Sequence, residues 1–199
     1  STHIVKLCQR IRDESHRFNE LSYWTDLAQT LEQGLFDGLF IADITGVYDV
    51  YQNGLDLTLK ESIQLPSHDP STLVSAMAAV TQHLGFGVTV NLSYESPYQF
   101  ARRFASLDHL TNGRIGWNIV TGYLDSAERL IGQKGLKDHD LRYEQAEEFL
   151  ELCYKFWEGS WEDDAVQKDK LNRVFTDPSK VHAIQHQGKF FQSQGIFRV

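Results

Sequence analysis

The chain carries little that would hold a disulfide scaffold or a membrane protein together. Its 199 residues include two cysteines, Cys8 and Cys153, and two thiols so far apart suit a reducing compartment better than a cystine framework. No apolar run approaches the ~20 residues that span a bilayer, and the opening STHIVKLCQR has no apolar core of a signal peptide. A cytoplasmic protein with no membrane partner is expected. Basic side chains number 19 against 27 acidic ones, a net charge of −8, which disfavours nucleic acid because phosphate binding needs a basic face. Missing motifs narrow the field further. Without G-x-G-x-x-G after a strand, G-x-x-x-x-G-K-[ST] or G-x-S-x-G, the standard dinucleotide, P-loop and serine-hydrolase readings lose support. His182 and His186 have the i, i+4 spacing of helical metal ligands, but they lie in a polar segment with no third ligand, so no metal is expected.

What is present is ordinary globular composition, 41% hydrophobic and 23% charged, with helical and strand-like segments in alternation. Trp24, Leu27, Ala28 and Leu31 recur at helical spacing and Gly34 follows as a stop. The apolar run at 38–43, GLFIAD, reads as a buried strand, and 44–68 as a long loop broken by glycine and proline. Asp69-Pro70 starts a helix, with Leu73, Met77, Val80 and Leu84 on one face and Gly85 as its stop. A strand is expected at 86–91. Ser96-Pro97 starts a helix through Phe100, Phe104 and Leu107, which Asn112-Gly113 ends before a strand at 114–120. A charged loop covers 121–140. Asp140 then caps a long helix with Ala146, Phe149, Leu150, Cys153 and Phe156 on one stripe. Residues 160–187 form a polar excursion, and GKFFQSQGIFRV a strand pair.

Strict alternation implies parallel strands joined by right-handed crossovers, either in a doubly wound sheet or in part of a (β/α)8 barrel. In both, ligands sit beyond the carboxyl ends of the strands. The residues found there are Asp43, then Thr89, Asn91, Ser93 and Tyr94, then Trp117, Asn118 and Thr121, with His139 and Tyr143 further on. Each has an ordinary alternative: Asp43 as a helix cap, Thr89 as a good strand former, His139 as a solvated loop residue, Tyr143 as packing. The pairs Glu147-Glu148 and Asp163-Asp164 read as solvated faces.

The strings LAQTLEQGLFDGLFIAD, SYESPYQFARRFASLDHLTNGRIGWNIVT, DLRYEQAEEFLELCYKFWEGSW and TDPSKVHAIQHQGKFF resemble the luciferase-like flavin monooxygenases. This is the group that includes nitrilotriacetate, dibenzothiophene-sulfone and long-chain alkane monooxygenases. The resemblance covers most of residues 20–191 and implies a bacterial-luciferase-type (β/α)8 TIM barrel. It also implies reduced FMN supplied by a separate flavin reductase, O2, a small organic substrate (alkane, organosulfur or aminopolycarboxylate) and a homo-oligomer. By position it implies that Asp43, Thr89, His139 and Tyr143 contact the flavin and that Asn118 lies beside it. Tyr48 and Tyr123 are the weak catalytic candidates; Tyr123 stands where the alkane enzymes carry His, which implies poor alkane hydroxylation. Cys8 does not match the cysteine proposed to be catalytic there. Three βα units are counted where a barrel has eight in about 250 residues. The expectation is one incomplete barrel domain over 1–199, covering about strands two to four, with a non-catalytic remnant as the alternative to an enzyme.

Overall fold

The computed structural model describes residues 13–198; Cys8 and the opening segment lie outside them. In chain order the elements are α1 Leu21–Gln33, β1 Gly38–Ile41, α2 Asp56–Lys60, α3 Ser71–Ala79, β2 Gly85–Asn91, α4 Pro97–Thr111, β3 Ile115–Val120, α5 Asp125–Leu130 and α6 His139–Gly159. Four short strands follow: β4 Val166–Asp169, β5 Val174–Thr176, β6 Ile184–Gln187 and β7 Gln192–Gly195. The three expected strands form one parallel sheet in the order β1-β2-β3. Its register pairs Gly38 with Gly85, Phe40 with Gly87, Phe86 with Ile115 and Thr89 with Asn118.

Local chemistry sets most boundaries. Asp69 Oδ1 accepts the Ser71 amide at 2.9 Å and the Ser71 hydroxyl at 2.6 Å, which satisfies donors that the start of α3 would leave orphaned. Ser96 Oγ accepts the Gln99 amide at 3.3 Å in the first turn of α4. At the far end of that helix Asn112 and Gly113 both take positive φ, 54° and 76°, and turn the chain into β3. The helix after Asp69 ends at Ala79, short of the expected Leu84. Leu84 is fully buried but stands outside the helix. The reason is a turn at residues 80–84 clamped from two sides. Glu32 Oε1 accepts the amides of Gln82, His83 and Leu84 at 2.8, 2.6 and 3.0 Å. Arg114 donates to the carbonyls of Ala78, Thr81 and Leu84 at 3.0, 3.2 and 2.9 Å, to the Thr81 hydroxyl at 2.9 Å and to the Thr111 carbonyl at 2.8 Å.

Two units can be distinguished: one runs through Asn91 and again from Leu107 to Lys137, the other from Leu92 to Ser106 and from Asp138 onward. The first holds the parallel sheet, with Phe86 and Val88 buried in it and Ala28, Val74, Met77 and Leu84 among its other buried side chains. The second is built on α6, whose Phe149, Leu152, Cys153 and Phe156 are buried. The Phe149 ring meets Phe100 edge-on at 5.5 Å, and Trp157 Nε1 donates to the Ala101 carbonyl at 3.1 Å.

Four readings need correction. Residues 44–68 and 121–140 are not bare loops, since they contain α2 and α5. The cap of α6 is Asp138, whose side chain accepts the Asp140 amide at 3.0 Å, so the helix opens at His139. The polar excursion after α6 is ordered as the antiparallel pair β4-β5. GKFFQSQGIFRV supplies only one strand, β7, which pairs antiparallel with β6, so the pairing runs Ile184 to Gly195 and Gln187 to Gln192. His182 and His186 are therefore not on a helix.

Candidate functional site

Parallel register sorts the sheet into two faces. Leu39, Ile41, Phe86, Val88, Ile115 and Trp117 share one, and it is large and apolar. The other carries Phe40, Gly87, Thr89, Asn91, Gly116, Asn118 and Val120. Apart from Phe40 that second face is small or polar, and it becomes polar toward the carboxyl ends. There Asn118 Nδ2 donates to Thr89 Oγ1 at 3.0 Å, and Thr89 is 4% exposed. Thr89 thus does more than favour an extended backbone: its hydroxyl and the Asn118 amide are locked to each other, side by side on adjacent strands.

Asp43 leaves β1 at the same end, two residues past Ile41, which pairs with Val88. It lines a cavity of about 550 Å³ together with Phe18, Trp24, Leu39, Phe40 and Leu65. Burial in these apolar walls raises its carboxyl above the ordinary range, the charge of Asp69 adds to this, and the Ile44 amide partly opposes it. A carboxyl shifted by burial and a nearby like charge in a cavity makes Asp43 a candidate functional residue.

Tyr48 and Tyr123 meet. Their hydroxyls are 2.6 Å apart, which joins the loop after β1 to the segment after β3. The surroundings show how. Ser126 Oγ accepts the Val47 amide at 3.0 Å and donates to the Val47 carbonyl at 2.7 Å. Arg129 reaches Asp49 at 2.5 Å, and the buried Thr58 hydroxyl donates to the Tyr48 carbonyl at 2.5 Å. Gly46 sits so close to α5 that a Cβ there would lie 2.6 Å from Ser126 Oγ and 2.8 Å from the Ala127 nitrogen. The Tyr123 hydroxyl is pushed up to about 12 by partial burial and by its hydrogen bond to Tyr48.

His139 and Tyr143 occupy the first turns of α6, in the second unit. Their rings are 4.7 Å apart and both side chains are largely exposed. They stand at the amino end of a 21-residue helix, where backbone amides and the helix dipole favour an anion. Among the described residues no group of three His, Cys, Asp or Glu side chains is arranged to hold a metal ion.

Sequence reasoning missed Gly46, Ser126 and Arg129. The acids Asp125 and Glu128 around Ser126 were the available signal, since they mark the first turn of a helix. It also misplaced Glu148, which is not a solvated face. Its carboxylate accepts the amides of Phe190 and Phe191 at 3.0 and 2.7 Å and lies 3.1 Å from His186 Nε2, with side-chain exposures of 12% and 4%. Lys155 Nζ lies 3.1 Å from the other nitrogen of that ring. An ammonium can only donate, so Nδ1 is placed to accept from Lys155 and Nε2 to donate to Glu148.

Parallel strands with intervening helices and a polar, small-residue end to the sheet define an α/β chain that forms part of a (β/α)8 barrel. Residues 4–199 match the luciferase-like monooxygenase model, and the chain belongs to that family. It is 55% identical over 183 residues to the long-chain alkane monooxygenase of Geobacillus thermodenitrificans, covering 92% of this chain and 42% of the relative. A crystal structure of a long-chain alkane monooxygenase superposes with a TM-score of 0.93 at 53% identity, over 96% of this chain and 44% of that one. The dimethyl-sulfide monooxygenase of Hyphomicrobium sulfonivorans is 54% identical, over 92% and 38% of the two chains. A riboflavin lyase solved with modified FMN and riboflavin gives a TM-score of 0.92 at 41% identity, over 98% and 43%. The chain therefore spans about two-fifths of the length of the relatives it matches.

Proposed function

We propose that this chain is the flavin-holding part of a monooxygenase that takes reduced FMN from a separate reductase and, with O2, oxygenates a small neutral organic molecule. The observation that carries the reading is the Thr89–Asn118 pair, locked at 3.0 Å on the small-residue face of the sheet. A hydroxyl and a carboxamide are the neutral donors and acceptors that suit the N–H and C=O edge of an isoalloxazine. Gly87 and Gly116 keep side chains off the same face, where the Phe40 ring lies 3.4 Å from the place a Cβ of residue 87 would take. When bound, the flavin supplies the oxygen-activating chemistry. Asp43 holds a proton or accepts a hydrogen bond from its half-buried position. His139 and Tyr143, an exposed imidazole and phenol at the amino end of α6 in the second unit, are flavin-contact candidates by the family resemblance alone. Tyr48 and Tyr123 present a pair of hydroxyls bonded to each other at the rim of this end of the sheet.

Fluorescence titration of the purified chain with FMN tests this. Saturable binding is expected, weakened more than tenfold by Thr89→Val or Asn118→Leu with unchanged urea midpoints, and weakened by His139→Ala. Absence of saturation at millimolar FMN, or equal affinity in all variants, refutes the assignment. Weak turnover of long alkanes is the expected consequence of Tyr123.

A further inference from the structure

The hairpin of β4 and β5, in the second unit, takes no part in the candidate site. Among the described residues these two strands pair only with each other, and a lone two-stranded hairpin is marginal in water. Its tip is nevertheless built with care. Asp169 Oδ1 accepts the amides of Leu171 and Asn172 at 2.9 and 3.0 Å, and Asp169 Oδ2 accepts the Asn172 side-chain amide at 2.6 Å. Lys168 and Arg173, on either side of the turn, take left-handed φ of 51° and 56°, which is unfavourable for residues with a Cβ. What this tip and its strands hold out to solvent is apolar. Leu171 is 95% exposed and Phe175 68%, with Val166 and Val174 at 43% and 36%. Large apolar side chains on a preorganised projection have the character of contact anchors. Charge is divided along the same hairpin. Lys168, Lys170 and Arg173 stand exposed at the tip, and Glu162, Asp163 and Asp164 stand exposed at the base. The base carboxylates have one lysine, Lys180, and one histidine, His182, beside them. A strand of four residues separates the two ends, roughly 10 Å at the usual rise.

We propose that two copies of this chain associate through this hairpin about a two-fold axis, the basic tip of one beside the acidic base of the other, with Leu171 and Phe175 covered between them. The charge pattern selects a second copy as the occupant. A surface whose positive and negative ends exchange places under a half turn is complementary to itself, and a two-fold contact uses the same patch on both partners. The parallel arrangement would set like charge on like and is disfavoured. Association also gives a free strand edge a neighbour. The patch is small, so the dimer belongs to the low-affinity class, with dissociation in the micromolar range, and salt weakens it because the charges are exposed. Nothing in this inference depends on the flavin reading above.

Sedimentation velocity of the purified chain across a concentration series tests this. A reversible monomer–dimer equilibrium is expected, weakened about tenfold by Leu171→Ser, as the loss of one buried anchor implies. Tip reversal, Lys170→Glu with Arg173→Glu, and base reversal, Glu162→Lys with Asp163→Lys, are each expected to leave a monomer with an unchanged urea midpoint. Mixed in equal amounts, the two reversed chains should dimerise again, because every tip then meets a base of opposite charge. A chain carrying both reversals should dimerise by itself for the same reason. Should a double substitution fail to fold, Lys170→Glu mixed with Asp163→Lys makes the same comparison. Carbodiimide treatment of 15N-labelled and unlabelled parent chains together should yield a mixed-isotope peptide joining Lys170 of one copy to Asp163 of the other. Dimers of parental strength in both reversed chains would place the contact elsewhere, such as an edge of the parallel sheet, and overturn the proposal. A monomer at every concentration, or a mixture of reversed chains that stays monomeric, overturns it equally.

Discussion

Replacing Arg114 with Met should cost the fold about 3 kcal/mol without touching the carboxyl end of the sheet. The guanidinium makes five hydrogen bonds, four of them to carbonyls at the end of α3, the turn after it and the end of α4, and its Cζ sits 5.5 Å over the Phe86 ring. Charged hydrogen bonds contribute roughly 1.5–3 kcal/mol each when lost singly. Such losses are not additive within one network, and Arg114 is only partly buried, so water recovers some of the carbonyls. Methionine keeps the apolar stem. A net loss of about 3 kcal/mol raises the unfolding constant about 150-fold and, at an m-value of about 2 kcal/mol per molar, lowers the urea midpoint by about 1.5 M. Arg114→Lys retains charge but only three donors in no planar fork, so about half the loss is expected. A cycle with Thr81→Val should return a coupling of about 1 kcal/mol. A midpoint shift under 0.2 M for Arg114→Met, or a fall in FMN affinity at unchanged midpoint, would mean that Arg114 serves the ligand and not the clamp.

Three further outcomes are expected. Because Asp43 binds its proton more tightly folded than unfolded, its ionisation opposes folding, with a penalty that grows as pH rises from the unfolded value and is complete above the folded one; Asp43→Asn should raise the urea midpoint at pH 7, and the gain should vanish below about pH 3, where both states of the parent are protonated. Burial alone would raise the Glu148 carboxyl, but the Phe190 amide, His186 and the Phe191 amide outweigh it and hold it below the ordinary range; Glu148→Gln should cost about 2 kcal/mol near neutral pH, a penalty that shrinks as pH falls through that lowered value, and 15N spectra should place the His186 proton on Nε2. The Cys153 thiol, fully buried and pushed up to about 12 by burial alone, should resist iodoacetamide in the folded chain and react on unfolding, read by peptide-resolved mass spectrometry; rapid folded-state labelling would contradict the packing.

The sheet was legible because its signals are local. Short apolar runs at 38–43, 86–91 and 114–120 are flanked by glycine, proline and capping side chains, and helices between them leave only the parallel return. Thr89, Asn118 and Asp43 could be placed at one end because strand ends alone determine that. What was not legible depends on partners distant in sequence. Arg114 reads as one more charge beside Gly113, and nothing local says that its donors meet α3 carbonyls. Glu148 reads as half of an acidic pair until β6 and β7 fold back on it. The helix after Asp69 looks longer than it is because Leu84 keeps the helical phase, although Glu32, about fifty residues away, takes the amides of that turn. Ser126 and Gly46 are small residues with no pattern, and their role exists only once 79 residues of chain have been closed.

That last distance has a kinetic side. Closing a loop becomes entropically harder with its length, by about (3/2)RT ln n. The contacts of Arg114 with Thr81, Leu84 and Ala78 span 30 to 36 residues and the joint of Val47 with Ser126 spans 79, a difference of roughly 0.8 kcal/mol on that scaling. The amino end of the sheet, with its Arg114 and Glu32 clamps, therefore has the advantage in the order of assembly. The opposite end is completed by long-range contacts few in number and partly solvated. Such contacts form late and open at the lowest free energy. The amino end of this small sheet is therefore expected to order first, and the carboxyl end to be the first to open, which amide exchange of Val47 against that of Leu84 would read.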